Sequence, residues 1–532
     1  MADHEVIIVG GGPVGLGLAV ELGLRGVRTA LVERRTEPQR IPKGQNLTQR
    51  SMEHFRYWGI EGEIRAARVM PEGYPNGGVT AYRDLMSKYS FPWWRRSTVN
   101  DFYFCRNERI PQYETERVLR NRVDGLETVD TFYGWTATGI ETDGDGIAVD
   151  IASAKKEVRL SGRWLVGCDG SHSTVRETAG IPEDRSGHDR RMALLVFRST
   201  ELDRILSGFG EVSFFKILDP VLNGYWKFLG RVDLEGGWFF HAPVDEETSE
   251  DPEEVKALVH DAVGARFDLE LDHVGLWDLR IAVARHYRKG AVFVAGDAAH
   301  SHPPYGGYGI NTGLEDVRNL GWKFAAVIEG WGGENLLDSY EEERLPVFRS
   351  TAEDFIAAFI DSDREFLAAH DPERDRHDFE RAWDRRRADA GIGVADFEPH
   401  YEGSPLVSGG DGAISGAVGE HTFLARPGHH LPPVELTTGR DLFTTLGRGF
   451  ALLALDAPGP SVGRWREAAA RLGLPLSVVE DDGKAERARY GARLILVRPD
   501  HYVAWSGDEG PEDPMAILAR AVSVEAAKTP GQ

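Results

Sequence analysis

Residues 292–311 read VFVAGDAAHSHPPYGGYGIN. An apolar run ends at Gly296-Asp297, His300 and His302 flank a serine, two prolines follow, and glycines at 306, 307 and 309 precede Asn311. Two chemistries fit an acid, two imidazoles and this much backbone freedom. Asp297, His300 and His302 can be drawn as a two-histidine, one-carboxylate metal set. Alternatively, an acid at a strand end accepts hydrogen bonds from sugar hydroxyls while the glycines bring backbone amides close to a planar ring. Pro303-Pro304 directly after the histidines, and an acid already employed at the strand end, favour the second chemistry. No metal site is expected in the chain.

Two further stretches carry the same kind of chemistry. VGGGPVG, residues 9–15, spaces Gly10, Gly12 and Gly15 as GxGxxG around Pro13 and Val14. Such glycines permit a sharp turn out of a strand, close approach of backbone to a diphosphate, and tight helix–sheet packing. The diphosphate then faces the positive end of a helix. Glu33 stands where a carboxylate at the end of the second strand accepts both ribose hydroxyl protons. GxGxxG alone is a weak signal; strand, helix, second strand and terminal acid together point to a dinucleotide. CDGSHSTVR, residues 168–176, ends another strand at Asp169-Gly170, with Ser173 and Arg176 one helical turn apart.

These residues need elements to hold them. Val6–Val9 and Val27–Val32 read as parallel strands buried on both faces, with a nearly all-apolar helix over 13–25 between them. Arg163–Val166 and Ala291–Ala295 are strands leading into the other two motifs. After the glycines, Leu314, Val317, Leu320, Phe324 and Ile328 recur at helical spacing and Gly330 ends the helix. Thr312 and Glu315 read as a capping box, so the helix's positive end points at Gly309, Ile310 and Asn311. A reduced flavin is negative on its pyrimidine edge, and such a helix start stabilises that charge by roughly 0.3–1 kcal/mol. Residues 191–242 have another texture, short aromatic-rich runs read as antiparallel strands of an inserted layer, with 72–104 joining it. Residues 361–400, dense in charge, read as a solvated helical connector. A globular pattern returns over 440–506.

The chain has 532 residues, too many for one core, and 41% hydrophobic content with 10% aromatics suits a globular protein. Its 85 acidic against 62 basic residues give a formal charge of −23, which argues against nucleic acid and anionic membranes as partners. Only Cys105 and Cys168 occur, so neither a disulfide framework nor a cysteine-rich zinc site is available, and a reducing cytoplasm fits. Residues 6–24 are apolar, but Glu21 and six glycines interrupt them and the preceding Asp3-His4-Glu5 is not a basic region.

The three motifs in this order resemble the group A flavoprotein monooxygenases, the aromatic-ring hydroxylases related to para-hydroxybenzoate and phenol hydroxylases. The likeness covers about residues 4–350; PQYETERVL at 111–119 matches a family segment that places Gln112 on the flavin. The tail from about 400 is similar to the thioredoxin-like domain of phenol hydroxylases, here without a cysteine. The resemblance implies an α/β fold: a Rossmann-like, glutathione-reductase-like FAD-binding domain (1–71, 105–183 and 285–400 with its connector), an inserted antiparallel substrate sheet (72–104 and 184–284), and a thioredoxin-like domain (401–532). It implies FAD in an extended pose on Gly10, Gly12, Pro13, Val14, Gly15, Glu33, Arg34, Lys43, Gln112, Asp169, Gly170, Arg176, Asp297, Gly307, Gly309, Ile310 and Asn311. Relatives often carry an arginine where Lys43 follows Pro42. The resemblance further implies that NADPH or NADH, bound transiently, reduces the flavin, and that a flavin hydroperoxide formed with O2 hydroxylates a small phenolic or polyketide-like substrate. A homodimer or higher homo-oligomer is expected.

Oxygen transfer needs an electron-rich ring, so a base or phenolate-stabilising donors should line the inserted sheet. Tyr225, Arg231 and His241 qualify, with the Pro304 carbonyl on the flavin side and His302 as an alternative base. Alternation puts Tyr225, Lys227 and Arg231 on one face and Trp226 and Phe228 on the other, without saying which face meets the flavin. Aromatics at 93–94, 102–104, 214–215, 226–228 and 238–240 are available to wall a pocket. Two other readings stay open: an FAD oxidase or dehydrogenase on the same scaffold, and a non-catalytic binding protein.

Overall fold

A computed structural model describes residues 3–525 apart from 94–95, 144–145, 187–189, 391 and 411; the expectation placed on Trp94 lies outside them. The central sheet runs, in spatial order, Arg288–Lys289, Val292–Val294, Glu157–Gly167, His4–Val9, Thr29–Glu33, Val129–Tyr133, with a hairpin (Thr136–Asp143, Gly146–Ala152) attached to Glu157–Gly167. The five strands from Val292 to Tyr133 in this order are parallel neighbours. Val9 pairs with both Gly167 and Val32, and Gly167 pairs with Val294. Four strands therefore end level, and Asp297, Asp169, Gly10 and Glu33 follow or close them along one edge. Ligands of open α/β sheets bind at that carboxyl edge.

Helix Pro13–Gly23 is buried along most of its length and packs against helix Gly309–Glu329. Small residues make this possible: a Cβ on Gly17 would come within 3.2 Å of Leu314. The long helix starts at Gly309, three residues before Thr312. The expected capping box does not form, because Thr312 Oγ1 donates back to the Tyr308 carbonyl while Glu315 is drawn to Arg50 and His54.

The inserted layer is one seven-stranded sheet in the order Glu270–Leu279, Arg190–Arg198, Gly237–Val244, Trp226–Arg231, Phe214–Leu218, Gly78–Tyr82, Ser90–Trp93. The segment around 72–104 thus joins it as the sequence suggests, but Phe214–Leu218 and Gly78–Tyr82 pair in parallel, so the sheet is not wholly antiparallel. Helices Thr200–Ile205 and Pro252–Val263 cover one face through Leu202, Val255 and Val259. The charged stretch after 361 is not simply a solvated connector. Its helices Ala358–Ala369 and Arg376–Ala388 bury Phe366, Phe379 and Trp383 against Tyr82 and Phe91 on the sheet's other side.

Toward the C-terminus a four-stranded sheet runs Leu476–Asp481, Phe450–Leu455, Leu494–Val497, Val503–Gly507; the first pair is parallel and the others antiparallel. Among the described residues no helix is long and apolar enough to cross a membrane.

Candidate active site

The cradle begins where the first strand stops. Gly10 has φ +107°, and a Cβ there would lie 2.2 Å from the Cys168 carbonyl oxygen. A Cβ on Gly15 would sit 1.9 Å from the Gly10 carbonyl, so helix and turn approach as only glycine allows. Gly12, by contrast, has nothing within 4 Å of its Cβ direction, leaving room for a ligand above the amides that open the helix. Glu33 is buried; its carboxylate accepts from the amides of Gly11 (2.7 Å) and Arg35 (2.8 Å), which fixes its position while lone pairs remain for ligand hydroxyls. Arg34 and Lys43 are exposed. Although Lys43 reaches solvent, the protein around it partly desolvates the ammonium and lowers its pKa, with Arg35 acting in the same direction and Glu116 and Asp297 opposing it.

The second corner is held together by its own hydrogen bonds. Asp169 accepts from Ser173 Oγ (2.5 Å) and the Val175 amide (3.1 Å), fastening the short helix Thr174–Thr178. Arg176 donates to the carbonyls of Ser171 and Ala298 and pairs with Glu183 at 3.1 Å. Arg176 therefore ties this corner to the Asp297 turn as a positioning residue. Gly170, at φ +88°, stays open.

At the third corner the Asp297 carboxylate reaches solvent and, among the described residues, accepts no protein hydrogen bond. Enough protein surrounds it that desolvation raises its pKa, against the pull of His300 and Lys43. An accessible carboxylate with no internal donor, set at a strand end, fits the hydroxyl-bearing chain of FAD. His300 turns the other way, 2.7 Å from Asp316, with its ring stacked on Phe348 at 4.1 Å. His302 donates through Nδ1 to the Pro303 carbonyl at 2.6 Å, leaving Nε2 buried and without a partner.

Gly306 and Gly307, at φ +78° and +63°, turn the chain into the long helix, and the Pro304 carbonyl is taken up by the Gly307 amide at 3.2 Å. The amides of Gly309, Ile310 and Asn311 belong to the helix's first turn and have no intrahelical acceptor. Asn311's side chain is fully engaged: Oδ1 accepts from the Thr48 amide (2.8 Å) and Ser51 Oγ (2.7 Å), and Nδ2 donates to Asn46 and Gly307. Only its backbone is free for a ring. Gln112 Oε1 accepts from the Gly44 amide at 3.2 Å, and Ile310 packs on Gly44.

On the substrate side, Trp226 stacks on Tyr305 at 4.3 Å and its amide donates to the Tyr305 hydroxyl, so the Trp226/Phe228 face borders the flavin loop. Phe214, Phe228 and Phe239 cluster on that face, with His241 beside Phe239 at 5.7 Å. Burial lowers the pKa of His241 and of His302 to about 4 in each case, so both rings are neutral at pH 7. Arg231 lies on the wrong face for a catalytic role: its guanidinium pairs with Asp203 of the covering helix and lies over Trp238. Tyr225 precedes the strand and packs under Arg190.

Sequence reasoning overlooked Arg109. It is buried, lies 4.6 Å over the Phe214 ring, donates to Gln45 at 2.8 Å, and leaves Nε and Nη1 without partners. Burial lowers its pKa to about 9. Only its place three residues before Gln112 hinted at this role. Arg96, donating to the Gly306 carbonyl at 2.5 Å, was also not anticipated.

Fold and site together define an FAD-dependent oxidoreductase with an aromatic-lined second layer facing the flavin edge. Residues 3–354 match the family model "FAD binding domain", and residues 425–524 match "Aromatic-ring hydroxylase, C-terminal". The chain is 33% identical to 4-methyl-5-nitrocatechol 5-monooxygenase of Burkholderia sp over 98% of this chain and 97% of that one. It is 28% identical to tetracenomycin A2 monooxygenase-dioxygenase of Streptomyces glaucescens over 99% and 98%. The solved structure of the flavin-dependent monooxygenase PieE with FAD and substrate superposes with TM-score 0.84 at 25% identity, covering 98% of this chain and all of that one. The chain belongs to the FAD-dependent aromatic-ring hydroxylases, the group A flavoprotein monooxygenases.

Proposed function

We propose that the enzyme takes electrons from NADPH or NADH and places one atom of dioxygen on an electron-rich aromatic ring, a phenol or a polyketide. When bound, FAD supplies the reduction and oxygen activation. The protein's part is to hold the flavin edge against the amides at 309–311, to exclude water with the aromatic layer, and to favour the phenolate. Arg109 carries this reading: a buried cation with two unpartnered guanidinium nitrogens, on the sheet face that meets the flavin loop, stabilises an anionic ring oxygen. Neutral His241, with Nδ1 unpartnered, is placed to accept a hydrogen bond from a substrate hydroxyl. The nitrocatechol and polyketide names of the relatives support a phenolic substrate. The C-terminal sheet's order, a parallel pair followed by an antiparallel hairpin, supports a thioredoxin-like unit. Lacking cysteine, that unit serves packing.

The test is nicotinamide-dependent oxygen uptake measured with a panel of phenols and labelled dioxygen. Label in the product is expected. Turnover of a phenol with no label incorporated would make the enzyme an oxidase or dehydrogenase on this scaffold.

A further inference from the structure

His400 closes the strand Phe397–His400, Glu402 follows it, and His429 lies 27 residues beyond Glu402. His400 and Glu402 fall between the segments matched by the two family models. The two imidazoles stack with centroids 5.0 Å apart and planes at 15°. One ring nitrogen of each and a Glu402 oxygen all lie within 4.8 Å of one another.

The outer partners decide what this cluster is. His429 Nδ1 is 2.9 Å from Glu398 Oε1, and Glu398 is itself gripped by Arg426. The Val418 backbone lies against the His400 ring, whose Nδ1 is buried without a hydrogen-bond partner. His429 thus donates its far N–H outward to a carboxylate, which leaves its Nε2 for a ligand, and on His400 the nitrogen left is the unpartnered Nδ1. This is the arrangement that fixes the tautomer of metal-binding histidines. His400 Nδ1 and His429 Nε2 are left as lone-pair nitrogens turned toward Glu402, whose oxygens stand 4.0 and 2.6 Å away. His400 is 7% and His429 2% exposed, while Glu402 keeps contact with solvent, so water can complete a coordination shell.

A proton offers a competing account. A protonated His429 between Glu398 and Glu402 satisfies that ring, but it leaves His400 Nδ1 buried and unpaired. A cation satisfies all three groups at once. We propose that His400, Glu402 and His429 bind a divalent transition cation, Zn(II) by preference, which staples the segment after the FAD-binding region to the C-terminal unit. Two imidazoles and a carboxylate suit zinc. Ligands at about 2.0–2.2 Å would draw the three donors closer together than they stand now.

The experiment uses full-length, FAD-loaded protein stripped with a chelator and returned to buffer. Zinc chloride is titrated in competition with a chromogenic chelator, and metal content is measured after desalting. The expected result is one Zn(II) per chain, a higher melting temperature with zinc, and affinity reduced tenfold or more in Glu402→Gln, His400→Ala and His429→Ala. Glu398→Gln should lose about 10–100-fold through the outer partner. Flavin absorbance reports folding of each variant, and partly exposed Glu402→Gln serves if an alanine variant does not fold. Failure to retain zinc, or unchanged affinity in Glu402→Gln, overturns the proposal. So does a melting temperature that follows pH but not zinc, which would mean that a proton holds the cluster.

Discussion

Asp297 and His300 stand three residues apart and do unrelated work. Asp297→Ala removes a carboxylate that no protein group needs, so FAD affinity should fall about ten- to hundredfold, the worth of hydrogen bonds to a charged acceptor. Apoprotein melting should barely change; flavin titration and a melting curve check both. His300→Ala should do the reverse, lowering the melting temperature because buried Asp316 loses a partner. His241 and His302 carry a pH signature. Their pKa lies near 4 in the folded protein against 6.5 for the free group, so between those values the unfolded chain binds more protons. Their stabilising contribution is complete above about pH 6.5 and falls as pH drops toward 4; denaturant titrations across that range should show a shallower slope in His241→Gln. Arg109→Gln should lower kcat/KM for ionisable phenols with FAD content unchanged, and a kinetic comparison with non-ionisable ring analogues tests it. The glycines and both strand-end acids were legible because a backbone turn dictates residue type. Arg109 was not, because nothing local distinguishes a buried arginine from a solvated one.

The helix from Gly309 to Glu329 decides where the flavin edge would rest. Its periodicity was plain, yet its first turn was misjudged, because Thr312 and Glu315 found partners outside the capping pattern. The real anchor is Asn311, whose side chain joins the strand Asn46–Leu47 and the helix Gln49–Tyr57 to the glycine loop. Asn311→Ala strands several buried polar groups, at roughly 1–3 kcal/mol for each left unsatisfied. Chemical denaturation should show that loss, and flavin affinity should fall with it because the loop loses its tether. In the inserted sheet, alternation correctly separated Arg231 from Trp226 and Phe228. Period two cannot say which face looks at a ligand; the helices covering Leu229 and Trp238 settled that.

Across the whole molecule, the C-terminal unit is bound into the site's foundation. Buried Arg498 grips Glu343 (2.5 and 2.9 Å) and Asp500 (2.6 and 3.0 Å), Asp500 accepts from Trp322 on the long helix, and Lys323 of that helix meets Glu343 at 2.7 Å. Arg498→Ala leaves two carboxylates buried and under-compensated, and should cost about 3–5 kcal/mol in equilibrium unfolding. A tail that acted independently would instead leave the melting of the FAD-binding region untouched. By itself the sequence determined the strand–turn–helix corners, the acids that end two strands and the dinucleotide class of the cofactor, because turn sterics, dihedral freedom and hydrophobic period act over a few neighbouring residues. Tertiary structure alone decided that four strand ends lie level along one edge, that Trp226 rather than Arg231 faces the flavin loop, and that Arg498 closes on Glu343. Those outcomes depend on sheet register and on burial shared between segments distant in the sequence, 79 residues from Trp226 to Tyr305 and 155 from Glu343 to Arg498, which no local pattern encodes.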